Sequence, residues 1–183
     1  MRVTSGKNVK SDSIAAGAVA ESQLPGFASL EQQAFLNLWR TYDRLKALED
    51  ELFGRRDLTA QQYNSLRLLQ AAGPAGLQTL TLAARLISRA PDITRLLDKL
   101  EDRKLVRRDR RPENRRVVQV AIMPAGERLL DALASEVLDC HERQLGHLSE
   151  DNLHALVELL RAARLPHEQA GDSSEKSPAE TST

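Results

Sequence analysis

The sequence has one cysteine, 3% aromatic residues and no excess of charge of either sign. Cys140 alone can form neither an intramolecular disulfide nor a multi-cysteine metal site. No apolar run approaches the roughly 18 residues that a membrane helix needs. We therefore expect a cytoplasmic protein without a membrane segment.

Motifs of catalysis are also missing from the sequence. It has no glycine-rich phosphate loop, no nucleophile motif and no paired histidine and carboxylate. Its four histidines do not form an i, i+4 pair suited to a metal. We expect no enzyme activity, no catalytic residues, no cofactor and no metal.

Charge is unevenly distributed along the chain, although 26 basic residues balance 26 acidic ones. Between Arg85 and Arg116, twelve basic residues stand against six acidic ones, so this segment carries +6 and the remainder −6. A basic segment in an otherwise acidic chain is typical of a phosphate-binding surface.

The first half of the chain favours three helices. Apolar spacings of three and four predict a helix from Ser29 to Gly54. Thr59 and Gln62 have the spacing of a capping box, so a second helix starts near Ala60 and continues to the turn at residues 73–76. A third helix is predicted with Thr79 as its cap. Its expected buried face is Leu82, Ala83, Leu86 and Ile87.

Residues 89–104 predict a fourth, amphipathic helix. Ile93, Leu96, Leu97 and Leu100 recur at i, i+3, i+4 and i+7 and form one face, while Pro91 suits the first turn. The other face carries Thr94, Arg95, Asp98 and Lys99. Such a helix could enter a DNA major groove or could expose a solvated charged face.

After Lys104 the pattern changes to that of a β-hairpin. Residues 105–108 and 116–122 predict two strands rich in β-branched residues, joined by a polar loop over 109–115. A fifth helix is predicted over 127–148, with Leu138 among its inward residues. A sixth helix starts after Ser149 and ends near Pro166. Its expected buried residues are Leu153, Leu156, Val157, Leu160 and Ala163.

The ordered set of a long helix, three helices, a hairpin and two long helices resembles the MarR (multiple antibiotic resistance regulator) family. The likeness covers about residues 30–165. It is carried by residues 58–63, 93–101, 105–108 with 112–116, and 122–126. Two positions depart from the family pattern. Asn114 stands where Asp is usual, so it can hydrogen-bond a wing arginine but has no charge to pair with it. Met123 stands where Thr is usual and cannot cap the fifth helix.

The resemblance implies a mainly α fold with a small β-wing, built from a winged helix-turn-helix lobe (about 58–122) and a helical dimerisation body (about 29–54 and 125–165). The resemblance also implies a single MarR-like domain at 29–165, and the composition predicts a mobile arm at residues 1–28 and a disordered tail at 166–183. The implied function is a DNA-binding transcriptional regulator, a ligand-responsive repressor that binds a palindromic operator as a homodimer.

The residues expected to contact DNA follow from the same resemblance. Thr94 and Arg95 approach base edges, Arg89 and Lys99 contact phosphates, and Arg115 and Arg116 probe the minor groove.

Regulation is less defined by the sequence. Trp39, Tyr42 and Tyr63 are candidates to line a pocket for a small aromatic or phenolic effector, although aromatics at helical spacing also serve as core residues. Two alternatives stay open: a redox-responsive regulator acting through Cys140, and a winged-helix protein-interaction module.

Overall fold

The computed structural model describes residues 26–87, 92–110 and 117–173. Two compact units make up the chain, Met1–Arg44 and Leu45–Thr183. The described residues form α1 (Leu30–Gly54), α2 (Ala60–Ala72), β1 (Leu77–Gln78), α3 (Thr79–Arg85), α4 (Ile93–Asp102), β2 (Val106–Arg110), β3 (Val118–Ile122), α5 (Pro124–Leu145) and α6 (Glu150–Ser173). Most of these residues are helical and the sheet is small and antiparallel, which confirms the predicted fold class.

Helix α2 begins at the predicted capping box. The Thr59 hydroxyl accepts a hydrogen bond from the backbone N–H of Gln62 at 3.2 Å, and the Gln62 side-chain oxygen accepts one from the Thr59 N–H at 2.9 Å. Two N–H groups that lack helical partners are thereby satisfied. Leu58, just before the cap, is buried in the core against which Tyr63 packs.

A short strand that the sequence analysis did not predict follows α2. β1 pairs antiparallel with β3, with Leu77 opposite Val120, and β3 becomes the central strand of the order β1-β3-β2. Gly76 permits this approach, because a Cβ at its position would lie 1.9 Å from the Val120 carbonyl oxygen and its φ is +64°. Only glycine fits such a position.

Helix α3 differs from the prediction at both ends. Thr79 is the first helical residue rather than the cap, and its hydroxyl donates to the Val118 carbonyl oxygen at 3.2 Å. The helix ends at Arg85 and Leu86 is extended. Ile87 therefore leaves the helical face and is 91% exposed, so its predicted burial is wrong.

The predicted hairpin is confirmed. β2 pairs antiparallel with β3, with Arg108 opposite Val120 and Arg110 opposite Val118. β2 thus extends into the stretch predicted as loop, because the ladder continues past Arg108. Residues 111–116 lie outside the described residues.

Helix α5 starts and ends earlier than the prediction of 127–148. Met123 precedes it in an extended conformation without a side-chain cap, and Pro124 occupies the first helical position, where its missing N–H costs nothing. Leu138, predicted to face inward, is 70% exposed. Cys140 and Gln144 are buried instead, because they share the face of Leu133 and Val137 at spacings of three and four.

Helix α6 is capped as predicted, with the Ser149 hydroxyl accepting a hydrogen bond from the Asn152 N–H at 3.3 Å. The predicted end near Pro166 is wrong, because the helix continues through this proline to Ser173. A proline removes one hydrogen bond of the helix but leaves those of its neighbours. The residues predicted to be buried on α6 are half-buried or exposed in this chain. The domain bounds at 28 and 165 stay a prediction.

The core of the second unit holds α4 in place. Its largest side chains with almost no exposed surface are Leu66, Leu69, Leu82, Leu97, Leu100, Leu133, Val106 and Val120. Leu97 and Leu100 belong to α4 itself, and the other six come from α2, α3, β2, β3 and α5, so apolar packing determines which face of α4 is buried.

Two glycines allow the cost of a left-handed backbone to be measured separately from the cost of a steric clash. Gly73 and Gly76 have similar φ values, +69° and +64°, but only a Cβ at Gly76 meets neighbouring atoms within 4 Å. Gly73→Ala should lower the free energy of unfolding by about 1–3 kcal/mol through backbone strain alone. Gly76→Ala should cost more, because β1 must move away from β3. Urea unfolding at equal protein concentration measures both, and equal costs would contradict the close approach.

Candidate nucleic-acid interface

Helix α4 buries its leucines and exposes its polar face. Leu96, Leu97 and Leu100 are buried, whereas Thr94, Arg95 and Lys99 are exposed, as the periodicity predicts. The start of the helix is Ile93 rather than Pro91, which lies outside the described residues. Asp92 caps it by accepting a hydrogen bond from the Arg95 N–H at 2.9 Å. This cap was not predicted, although Asp before an apolar period is a helix-start signal.

Asp92 also orients the Arg95 side chain. Its second carboxylate oxygen lies 3.1 Å from Arg95 Nε, while the arginine side chain is 83% exposed. Among the described residues, Nη1 and Nη2 of Arg95 have no hydrogen-bond partner. The pair of N–H donors at the tip of the guanidinium thus faces solvent, and such a pair can bind the O6 and N7 atoms of guanine.

Arg108 on β2 binds the two acidic residues of α4 that lie nearest to it. Its Nε donates to Glu101 Oε2 at 2.8 Å, its Nη2 donates to the same oxygen at 2.6 Å, and its backbone N–H donates to Glu101 Oε1 at 3.1 Å. Nη2 also bonds to Asp98. These bonds, above all those with Glu101, raise the pKa of Arg108 against the effect of its partial burial.

The contacts of Arg108 change the charge that α4 presents. Asp98 was grouped in the sequence with the exposed polar face, but its carboxylate is half-buried and paired. Glu101 is paired with the same guanidinium. One guanidinium therefore offsets part of the negative charge of two carboxylates that would repel phosphates. Arg108 was not predicted, because its role depends on a contact between a strand and a helix.

Three of the six predicted DNA-contacting residues cannot be placed. Arg89, Arg115 and Arg116 lie outside the described residues, whereas Thr94, Arg95 and Lys99 lie together on α4. The assignment of all six stays a prediction.

The three aromatic residues predicted for an effector pocket have different surroundings. Trp39 is exposed on α1, with its ring centroid 6.2 Å from that of Phe35, and Tyr42 is exposed on the same helix. Tyr63 stacks on Phe53 at 4.7 Å and packs against the core of the second unit. The pocket assignment stays a prediction.

Cys140 lies on the buried face of α5 and is 3% exposed. Burial raises the pKa of its thiol, and the nearby carboxylate of Glu49 acts in the same direction. The reactive thiolate form is therefore disfavoured at neutral pH. Within the described ranges, no group of three or more His, Cys, Asp or Glu side chains is arranged to hold a metal ion. No helix in the described part of the chain has the length and apolarity to cross a membrane.

Comparison with known proteins identifies the family. The MarR family model matches residues 58–118, from the capping box of α2 to the start of β3. The crystal structure of a MarR transcription factor from Planctomyces limnophilus is similar, with 57% sequence identity and a TM-score of 0.60, over 75% of this chain and 99% of that one. The chain belongs to the MarR family. It is a DNA-binding transcriptional regulator with a winged helix-turn-helix, and not an enzyme.

Two further relatives are more distant. The HTH-type transcriptional regulator YdgG of Bacillus subtilis is 27% identical over 122 residues, which cover 66% of this chain and 78% of YdgG. The structure of Bordetella bronchiseptica BpsR, whose DNA binding is regulated by 6-hydroxynicotinic acid, has 25% identity and a TM-score of 0.66, over 75% of this chain and 97% of that one. This MarR-family chain therefore shares its fold with regulators of several bacteria.

The pairing of Arg108 makes a testable contribution to DNA affinity. Arg108→Ala should weaken DNA binding by about tenfold, or about 1.4 kcal/mol, because Asp98 and Glu101 are left unpaired beside the exposed face of α4. Adding Asp98→Asn and Glu101→Gln should restore most of the affinity. Fluorescence anisotropy with labelled duplex DNA measures this. Arg107→Ala is the matched control, since Arg107 pairs with Asp109 on its own strand. An unrestored triple variant would instead indicate a direct contact of Arg108 with DNA.

Proposed function

We propose that this protein is a ligand-responsive repressor that binds a palindromic operator as a cytoplasmic homodimer. The observation that carries the proposal is the exposed face of α4, where Thr94, Arg95 and Lys99 stand together while the neighbouring carboxylates are paired inside the protein. An α-helix with this face fits the major groove of B-DNA. Two such helices related by a two-fold axis would read half-sites about 34 Å apart.

Exposed apolar side chains on α1 and α6 support the homodimer. On α1 they include Leu30, Phe35, Leu38 and Trp39, and on α6 Val157 and Leu159. From Glu150 to Glu168, every α6 side chain is at least partly exposed. Large apolar side chains exposed in this number on one helix are typical of an interface rather than of a monomer. A second copy of the chain would cover them.

The proposed division of labour on DNA follows the side-chain chemistry. Arg95 reads guanine with the two terminal N–H donors that Asp92 leaves available, and Thr94 approaches a neighbouring base. Lys99 and Arg89 contact phosphates, which sets affinity rather than sequence preference. Arg115 and Arg116 enter the minor groove, where the negative potential favours arginine.

A small aromatic or phenolic effector is proposed to control the affinity. BpsR, in which 6-hydroxynicotinic acid regulates DNA binding, supports this class of ligand. Trp39, Tyr42 and Tyr63 are the proposed contacts. An effector that binds more tightly to a conformation with the wrong helix spacing would shift the population away from the DNA-binding form. The alternative of redox control through Cys140 has less support, because this thiol is buried and its pKa is raised.

Selection of operators from random duplex DNA tests the proposed DNA recognition. The wild-type chain should return an inverted repeat with half-site centres about one helical turn apart. Arg95→Ala should lower the affinity for that site by about 1–3 kcal/mol and relax the preference at a guanine position. Lys99→Ala should weaken binding to all sequences alike. A wild-type chain that selects no sequence would favour the protein-interaction module, and an unchanged preference in Arg95→Ala would contradict base reading by Arg95.

Trp39 provides a direct reporter of effector binding, because it is the only tryptophan of the chain. Titration with 6-hydroxynicotinic acid and a panel of other aromatic acids should quench its fluorescence and lower operator affinity over the same concentration range. Tyr42→Phe, which preserves the ring, tests whether the hydroxyl of this proposed contact takes part in binding. Peroxide, by contrast, should leave operator affinity unchanged because Cys140 is buried. Loss of affinity with peroxide but not in Cys140→Ala would establish redox control instead.

A further inference from the structure

Arg103, at the end of α4, bonds to a distant part of the chain. Its Nη1 donates to the carbonyl oxygen of Asp57 at 2.6 Å and its Nη2 donates to that of Arg56 at 3.0 Å. These two carbonyls form the corner between α1 and α2. A planar guanidinium that bonds to two adjacent acceptors fixes direction as well as distance, which a lysine ammonium cannot do.

The backbone on the α4 side of this contact is well defined. Arg103 is the C-cap of α4, and the N–H of Leu105 bonds to the carbonyl of Leu100 at 3.0 Å while the N–H of Lys104 bonds to that of Glu101 at 2.7 Å. This is the Schellman pattern, with Lys104 in the left-handed conformation at φ +56°. The backbone that carries the Arg103 side chain is therefore fixed to the end of α4.

The corner on the other side is held in the same way. The N–H of Leu58 bonds to the carbonyl of Phe53 at 3.0 Å, and Asp57 has a φ of +51°. The Arg56 side chain pairs with Glu136 on α5. A continuous set of contacts thus runs from α4 through Arg103 and the corner to α5, one of the helices of the proposed dimer body.

We infer that Arg103 is a positioning residue that fixes the angle of α4 relative to α5 and thereby sets the half-site spacing that the dimer accepts. This inference rests on the proposed binding of a palindromic operator by a homodimer. The proposed role depends on the two hydrogen bonds from Arg103 to the carbonyl oxygens of Arg56 and Asp57. It does not depend on the charge of Arg103 or on a contact of this residue with DNA.

The test measures affinity as a function of operator spacing. Full-length chains are titrated by anisotropy against the selected operator and against duplexes with one base pair added or removed between the half-sites. One base pair displaces a half-site by about 3.4 Å and rotates it by about 34°. The wild type should lose about tenfold in affinity on either change. Arg103→Ala should lose only about two- to threefold, because its α4 can adopt a wider range of angles.

Three further variants separate positioning from other roles. Arg103→Lys keeps the charge but not the fork, so it should resemble Arg103→Ala, and it keeps the test usable if the alanine variant does not fold. Glu136→Gln breaks the next contact and should relax the spacing in the same direction. Arg55→Ala is the matched control, since among the described residues Arg55 pairs with Glu51 at the end of α1 and not with α4 or α5, and its spacing profile should equal that of the wild type.

Two results would overturn the inference while leaving operator binding intact. One is an unchanged spacing profile in folded Arg103→Ala and Arg103→Lys. The other is a smaller dependence of log affinity on log salt in Arg103→Ala that lysine restores, which identifies a phosphate contact. A wild type indifferent to spacing would instead contradict the proposed dimeric operator binding, and the positioning role with it.

Discussion

Burial of the leucine face of α4 is the constraint on which the DNA-binding lobe depends. Leu97 and Leu100 have at most 1% of their surface exposed and pack in one cluster with Leu66, Leu82 and Val120. A rotation of α4 would expose these side chains, at a cost of about 1.5–3 kcal/mol for each fully buried leucine. The polar face is thus directed outward by packing, and its residues need not take part in holding the helix.

Electrostatics then determines what that outward face presents. α4 and its cap contain acidic as well as basic residues, and three of the four acidic ones form bonds within the protein. Asp92 caps the helix and contacts Arg95, while Asp98 and Glu101 bind Arg108. Among the described residues Lys99 forms no ion pair, and Arg95 keeps its two terminal N–H donors available beside Asp92. A chain without net charge can in this way present a local positive field to phosphates.

Local sequence patterns predicted those features that local interactions determine. The capping box at Thr59 and the face of α4 depend on residues three or four positions apart, and both are confirmed. Contacts between distant residues could not be predicted in this way. β1 exists because β3 is available to pair with it, and the hydroxyl of Thr79 bonds to Val118 instead of capping α3. Arg108 was one of twelve basic residues in its segment, and only the contact of β2 with α4 distinguishes it.

The difference between local patterns and distant contacts also explains why the apolar periodicity overestimated burial in α1 and α6. Periodicity records which residues avoid water, but it does not state whether the chain itself or a second molecule covers them. On α6, Leu153, Leu156 and Leu160 are half-buried and Val157 is exposed, and on α1 Leu38 is exposed. In α4, whose leucines are covered by the chain itself, the same kind of pattern corresponds to complete burial. The difference between these helices is the physical basis for the proposal that α1 and α6 belong to a dimer body and that α4 contacts DNA.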